Sequence, residues 1–199
     1  MIIGDTFLWL HLPKTGGTSM NLLFRRKKLA GVVVDADATA QKHDSVALRE
    51  RRSGWRANNR QRFITCRRLD DWLISDWQFK RNQMHLPDLP FEPVRSGLFF
   101  SLRLGGLWVA ADWWINYFSL DERVISLRLD TLQSDLNRWM LPLLPAGTAP
   151  FETPPHANSG STQAHQQPRL NPADLQRIAV VNPRWTAWQS KVYNNTPQP

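Results

Sequence analysis

A glycine loop that carries a lysine and three hydroxyl side chains follows an apolar run near the start of the chain, and it reads Pro13-Lys14-Thr15-Gly16-Gly17-Thr18-Ser19. In such a turn the backbone N–H groups point into one concavity. The helix that follows adds partial positive charge, and the lysine can reach an outer oxygen of a bound phosphate group. The loop is therefore the candidate binding site for a phosphate-type group. A turn that only joins a strand to a helix is the alternative.

The lysine stands before the glycines, unlike the lysine in the phosphate loop of common ATPases and kinases. That loop has the pattern G-x-x-x-x-G-K-[ST], whereas Lys14 precedes both Gly16 and Gly17. An ordinary ATPase or kinase is therefore disfavoured. A divergent P-loop kinase or NTPase stays open, with Asp130 at a predicted strand end as its acidic candidate for magnesium.

The residues HLPKTGGTS, 11–19, resemble the 5′-phosphosulfate loop of sulfotransferases that use 3′-phosphoadenosine 5′-phosphosulfate (PAPS), above all the carbohydrate-type and bacterial families. In this family R-x-P-x-x-R-x-x-S follows the third strand, and its first Arg and its Ser bind the nucleotide 3′-phosphate. Here TCRRLDDWLIS places Arg67 and Ser75 eight positions apart. Leu69 stands where the family usually has proline, and Trp72 where it often has a second arginine.

The resemblance implies a sulfotransferase that moves a sulfuryl group from PAPS, its co-substrate, to a hydroxyl or amine of a carbohydrate or small metabolite. Lys14 would act on the leaving oxygen, and Arg67 and Ser75 would hold the 3′-phosphate that ATP lacks. No metal requirement is predicted, because such in-line transfer relies on positioning and electrostatics and the group carries one negative charge. The expected partners are the nucleotide donor and an unidentified hydroxyl-bearing acceptor.

A histidine is the candidate base, because imidazole titrates near neutral pH and suits removal of the acceptor proton. His43 lies in QKHDSVALRER, just before a predicted helix, and bacterial proteins resembling the family often have Lys-His-x-Ser/Ala there. A capping or surface role is the alternative for His43. Asp44 is predicted to cap the helix, and His11, which ends the first strand, is expected to pack there.

Alternating strands and helices must position these residues. Four apolar runs are predicted strands, and each precedes a segment with helical spacing: 7–12, 31–34, 62–66 and 123–129. This rhythm predicts one sulfotransferase-like α/β domain over 1–199, a three-layer P-loop-like fold with a central parallel sheet flanked by helices. Helices are also predicted within 96–120 and over 171–193, and 145–168 is predicted to be one long loop.

Two further groups of residues are candidates for ligand contacts. Asn158, Ser159 and Ser161, in the long loop, loosely resemble the Asn-x-Ser region that closes over the nucleotide in related enzymes, and a polar surface loop is the alternative. An aromatic group either lines an acceptor site or fills a core: Trp108, Trp113, Trp114, Tyr117 and Phe118.

The formal net charge is +8, and nine basic residues against two acidic ones lie between Lys42 and Arg68. Such a stretch favours an anionic partner or forms a solvated helix face, so a basic polyanion-binding protein without turnover is a further alternative. Nucleic acid is not expected, because no RNA-binding aromatic signature or zinc site is present.

The single cysteine, Cys66, fits a reducing compartment, where it packs as a small hydrophobe. The longest apolar window, 105–118, falls short of the roughly 20 residues that a membrane span needs. The first residues lack the basic start of a signal peptide. We therefore expect a cytoplasmic protein without a transmembrane segment.

Overall fold

The computed structural model describes residues 1–155 and 168–194, which divide into two compact units. The first unit comprises Met1–Cys66 and the described residues of Phe118–Ser161. The second comprises Arg67–Tyr117 and the described residues of Thr162–Pro199. The loop residues Asn158, Ser159 and Ser161 lie outside the described part of the chain. That 1–199 forms one sulfotransferase-like domain stays a prediction.

The strands are β1 (Ile2–Ile3), β2 (Phe7–Leu10), β3 (Val33–Val34), β4 (Gln61–Cys66), β5 (Leu98–Ser101), β6 (Leu107–Ala110) and β7 (Val124–Arg128). The helices are α1 (Gly17–Lys27), α2 (Val46–Ser53), α3 (Leu69–Gln83), α4 (Glu92–Arg95), α5 (Asp112–Phe118), α6 (Leu132–Trp139), α7 (Pro172–Val181) and α8 (Pro183–Asn194). The described residues also contain three 3-10 turns: Ala40–His43, Leu102–Leu104 and Leu141–Leu143.

A five-stranded sheet in the order β3-β1-β2-β4-β7, flanked by helices, confirms the α/β class. Strands β2, β4 and β7 run parallel, with Trp9 opposite Phe63 and Phe63 opposite Ile125. The prediction of a parallel sheet is wrong at β1, which is antiparallel to both of its neighbours. Its chain turns back at once, because the Gly4 N–H donates to the Phe7 carbonyl at 3.0 Å.

The core of the first unit is formed by the sheet together with α1 and α6. Alternate strand residues Phe7, Trp9, Phe63 and Leu127 project to one side and are buried with Met20 and Phe24 of α1 and Leu132 and Leu136 of α6. Pro13 ends the first apolar run, so the chain leaves β2 and enters α1 through the glycine loop. The sheet core thus supports the loop directly on the carboxyl side of β2.

In the second unit the predicted helices within 96–120 are wrong over their first half, where β5 and β6 pair as an antiparallel hairpin. Gly105 and Gly106 both take positive φ, 72° and 83°, which a turn between strands can use and a helix cannot. Helix α5 follows. The segment predicted to be helical at 171–193 forms α7, which begins with an Asn171–Asp174 capping box, and α8. Among the described residues, no helix is both long and apolar enough to cross a membrane.

Candidate functional site

The loop between β2 and α1 alternates the hand of its backbone. Lys14 has φ 63° and Gly16 φ 83°, whereas Thr15 between them keeps a negative φ and Gly17 starts the helix. Such an alternation turns successive N–H groups toward one concavity that suits an anion. A left-handed lysine costs about 1–2 kcal/mol relative to the right-handed form. The loop therefore holds a non-glycine residue in an unfavourable conformation where the sequence predicts anion binding.

The amino end of α1 receives no negative charge from its own sequence. Its N-cap is Gly16, no side chain caps it, and its first turn holds no acidic residue, while its last turn carries three basic ones. The partial positive charge of a helix amino end is therefore not offset by side chains of α1. Thr18 and Ser19 lie half-buried in this first turn, and the buried Thr15 donates its hydroxyl proton to the Leu12 carbonyl at 2.9 Å.

The ring of His11 packs directly against the first residue of α1. A Cβ on Gly17 would lie 1.7 Å from His11 Nε2, so any larger residue would have to displace the His11 ring or the helix start. His11 is 3% exposed, and its Nδ1 has no hydrogen-bond partner. The prediction that His11 packs at the strand end is confirmed, since the residue is buried directly after β2. Its contact with Gly17 was missed, and the only local signal for it is a histidine at the end of an otherwise apolar strand.

His43, the candidate base, lies against His11. It ends the 3-10 turn Ala40–His43, its ring meets the His11 ring edge-on at 4.6 Å, and its Nδ1 is 2.9 Å from the His11 carbonyl oxygen. Because a carbonyl oxygen only accepts, Nδ1 carries the proton in this contact and Nε2 is the basic nitrogen. The structure thus brings His43 and the loop together through one residue, His11.

Asp44 does not cap the helix after His43, contrary to the sequence prediction. Ser45 is the N-cap of α2 and accepts from the Leu48 N–H, while Asp44 is buried and accepts from Arg52 at 3.2 Å on both oxygens. The serine side chain is one atom shorter and sits one residue closer to the helix. It therefore meets the cap geometry, and the carboxylate turns to an arginine instead.

The end of β7 also lies beside the loop. A Cβ on Gly16 would be 3.0 Å from Leu129 Cδ1. The preceding Arg128 is paired with the buried Asp135, with Nη2 to Oδ1 at 2.8 Å and Nε to Oδ2 at 3.1 Å. Asp135 thus offsets the charge of Arg128. The cation within the loop itself is Lys14. Asp130, the acidic candidate of the kinase alternative, is exposed.

Arg67 and Ser75, the predicted 3′-phosphate ligands, belong to the second unit. Arg67 follows β4 directly, and its carbonyl accepts from the Trp185 indole N–H at 3.2 Å. Burial lowers the pKa of the Arg67 guanidinium, while Asp71, Tyr193 and Asp70 act in the opposite direction. Ser75 is half-buried near the middle of α3. The eight-residue spacing therefore places Arg67 before the start of α3 and Ser75 within α3.

Several arginines of the basic stretch bind groups of the protein itself. Arg49 pairs with Asp35 and Arg52 with Asp44. Arg56 donates to three carbonyls within 50–55, and Arg60 donates to the Gly4 carbonyl at 2.8 Å. These contacts account for four of the cations that suggested an anionic polymer, so the structure adds no support to a polyanion-binding surface.

The aromatic candidates for an acceptor site divide by burial. Trp114 and Phe118 are buried, so core packing accounts for them. Trp108, Trp113 and Tyr117 are half-buried; Trp113 and Tyr117 stack at 4.8 Å with an interplanar angle of 15°, and Trp108 packs on Phe100. Trp108, Trp113 and Tyr117 therefore stay candidates for the predicted acceptor site.

Over residues 1–155 and 168–194, no three His, Cys, Asp or Glu side chains form a group that could hold a metal ion. The prediction that no metal is required stays a prediction. Comparisons of the chain with protein-family models, with curated proteins and with solved structures found no match.

Proposed function

We propose that the chain is a PAPS-dependent sulfotransferase with a P-loop-like donor site, acting on a hydroxyl or amine of a carbohydrate or small metabolite. The observation that carries the proposal is the amino end of α1, which follows a loop of alternating hand and has neither a side-chain cap nor an acidic first turn. Because residues 11–19 resemble the 5′-phosphosulfate loop, we infer that the anion bound at this site belongs to PAPS.

In the proposed reaction the acceptor oxygen attacks the sulfur of PAPS as the bond from sulfur to the bridging oxygen breaks. The sulfuryl group is transferred, and 3′-phosphoadenosine 5′-phosphate leaves. The Lys14 ammonium and the N–H groups of Gly16–Ser19 stabilise the charge that develops on the leaving phosphate. His43 Nε2 accepts the acceptor proton, since its Nδ1 already donates to the His11 carbonyl.

Arg67 and Ser75 would provide selectivity for the 3′-phosphate. A guanidinium binds a phosphate through two parallel hydrogen bonds, and Ser75 adds a hydroxyl donor. Burial lowers the pKa of Arg67, so a dianion that returns negative charge to it would be well matched there. We also propose a reducing, cytoplasmic setting, supported by the one thiol of the chain, the buried Cys66.

Calorimetric titration tests the proposal, with 3′-phosphoadenosine 5′-phosphate compared with ATP and AMP without magnesium. We expect binding that requires the 3′-phosphate and that weakens roughly tenfold or more in Arg67→Ala. Arg68→Ala is the matched control, because Arg68 is the exposed neighbour whose guanidinium lies over the Tyr193 ring. Equal binding of ATP and the 3′-phosphorylated nucleotide would overturn the sulfotransferase proposal. Magnesium-dependent binding of ATP alone would favour the kinase alternative.

A second experiment addresses turnover. Transfer of labelled sulfate from PAPS to a panel of sugars, phenols and amines should be lost in Lys14→Ala and strongly reduced in His43→Gln. His85→Gln is the control, because His85 is exposed and lies in the second unit. Donor binding without transfer to any acceptor would limit the protein to a PAPS-binding role.

A further inference from the structure

The buried His11 lies against the amino end of α1, which is the proposed anion site. His11 is 3% exposed, its Nε2 faces the first residue of α1, and its Nδ1 is a buried nitrogen without a hydrogen-bond partner. An apolar side chain of similar size would fill the same space without leaving a ring nitrogen unsatisfied. The identity of this residue therefore calls for a ligand-related explanation.

The charged groups that act on His11 are all positive. Burial is the largest cause that holds the pKa of His11 well below its usual 6.5, and the amino group of Met1, Lys42 and His43 in its protonated form act in the same direction. The carboxylates that neighbour these cations are themselves paired, since Asp35 accepts from the Met1 amino group and from Arg49, and Asp44 accepts from Arg52. A negative charge for His11 would have to come from a ligand.

An anion bound at the amino end of α1 would supply that charge, because Gly17, the residue that touches His11, is the first residue of the helix. We infer that His11 is a positioning residue of the donor loop, which takes up a proton when an anion occupies the amino end of α1. By linkage, the proton then tightens anion binding by the same factor by which the anion tightens proton binding. The donor identity in this inference rests on the proposed function, but the proton coupling does not.

The test follows the titration of His11 by NMR of the imidazole Cε1–H groups, first in the unliganded chain and then with sulfate. Sulfate is the probe because it does not itself titrate between pH 5 and 8. We expect sulfate to raise the titration midpoint of His11 by at least about one pH unit, a tenfold gain in proton affinity. The signal is assigned as the one missing in His11→Gln, and His85, outside the first unit, is the internal control.

The same titration with 3′-phosphoadenosine 5′-phosphate separates the two proposals. A shift with sulfate but no binding of the nucleotide would keep the role of His11 and overturn the sulfotransferase proposal. Nucleotide binding with no shift of His11 in either ligand would overturn the role of His11 alone. If His11→Gln does not fold, single glutamine variants of the other four histidines, at positions 43, 85, 156 and 165, assign their own signals and leave that of His11.

Discussion

Two strand-to-helix junctions of this chain differ in how their helix amino ends are covered. At the start of α1 the N-cap is Gly16, with no side-chain cap and no acidic residue in the first turn. At the start of α3 the first turn contains Asp70 and Asp71, and the Leu69 N–H donates to the Gln189 amide oxygen at 2.8 Å. The protein itself thus provides the negative charge and an acceptor at α3.

Neither helix has a side-chain cap at its N-cap residue, so the two amino ends differ in the negative charge of their first turns and in the acceptor that Gln189 provides at α3. The amino end of a helix favours a nearby negative group, and at α3 the carboxylates of Asp70 and Asp71 supply that charge. Under the proposed function, the 5′ group of the donor would therefore bind at α1. At the second junction the proposal gives the ligand role to the Arg67 side chain and not to the start of α3.

The largest effect is expected from Gly17→Ala, which would close the first junction. The new Cβ would stand 1.7 Å from His11 Nε2, so either the ring or the helix start must move. We expect a loss of about 2–3 kcal/mol in the free energy of unfolding, as for an overpacked core, and loss of donor binding. Urea denaturation and calorimetry measure the two quantities.

Gly54→Ala is the control for this change, because Gly54 has φ 67° with nothing near its Cβ position. It should cost only about 1 kcal/mol for the left-handed backbone. In the double variant His11→Ala, Gly17→Ala, the stability should recover at least in part. Gly17→Ala as stable as the original chain would mean that His11 does not support the loop.

Substitutions of Lys14 test whether the first junction stabilises the charge that develops on the leaving phosphate. Lys14→Ala and Lys14→Gly should each lower transfer by about 100-fold, the usual cost of removing one preorganised charge stabiliser. Their stabilities should differ, because glycine relieves about 1 kcal/mol of left-handed strain that alanine keeps. Turnover with saturating PAPS and urea denaturation distinguish the two effects. Activity retained in Lys14→Gly would remove Lys14 from the reaction.

The parts of this site that are local in sequence could be predicted, and the parts that depend on packing could not. Strand β4 and the β2–loop–α1 junction follow from an apolar run and its Pro and Gly punctuation. Strand β1 was missed because two residues show no period, and the β5–β6 hairpin because its apolar residues fit a helix as well. The contact between His11 and Gly17 depends on how the ring lies under the helix, which no spacing records.

The pH dependence of stability tests His11 from the folded state alone. Its pKa is lowered in the native state, so the unfolded chain binds the proton first and stability falls as the pH drops below about 6.5. The decline should approach about 1.4 kcal/mol per pH unit and end at the native pKa. His11→Gln should remove this contribution, and His85→Gln should not. Identical pH profiles for the original chain and His11→Gln would contradict a neutral, buried His11.

The smallest effect concerns the second junction, where the carboxylates of the protein compete with a ligand. The negative charges of Asp71 and Asp70 both raise the pKa of the Arg67 guanidinium. Because Asp71 is exposed, Asp71→Asn removes a carboxylate that competes with the ligand for Arg67 at little structural cost. We expect affinity for 3′-phosphoadenosine 5′-phosphate to rise about threefold, while the helix start loses about 0.5 kcal/mol of dipole stabilisation. Asp88→Asn, an exposed change elsewhere in the second unit, gives the baseline for losing one negative charge. A gain confined to Asp71→Asn, and abolished when Arg67→Ala is added, would place the 3′-phosphate on Arg67. An equal gain in both variants would reflect overall charge only, and Arg67 would then have no specific part in selecting the donor.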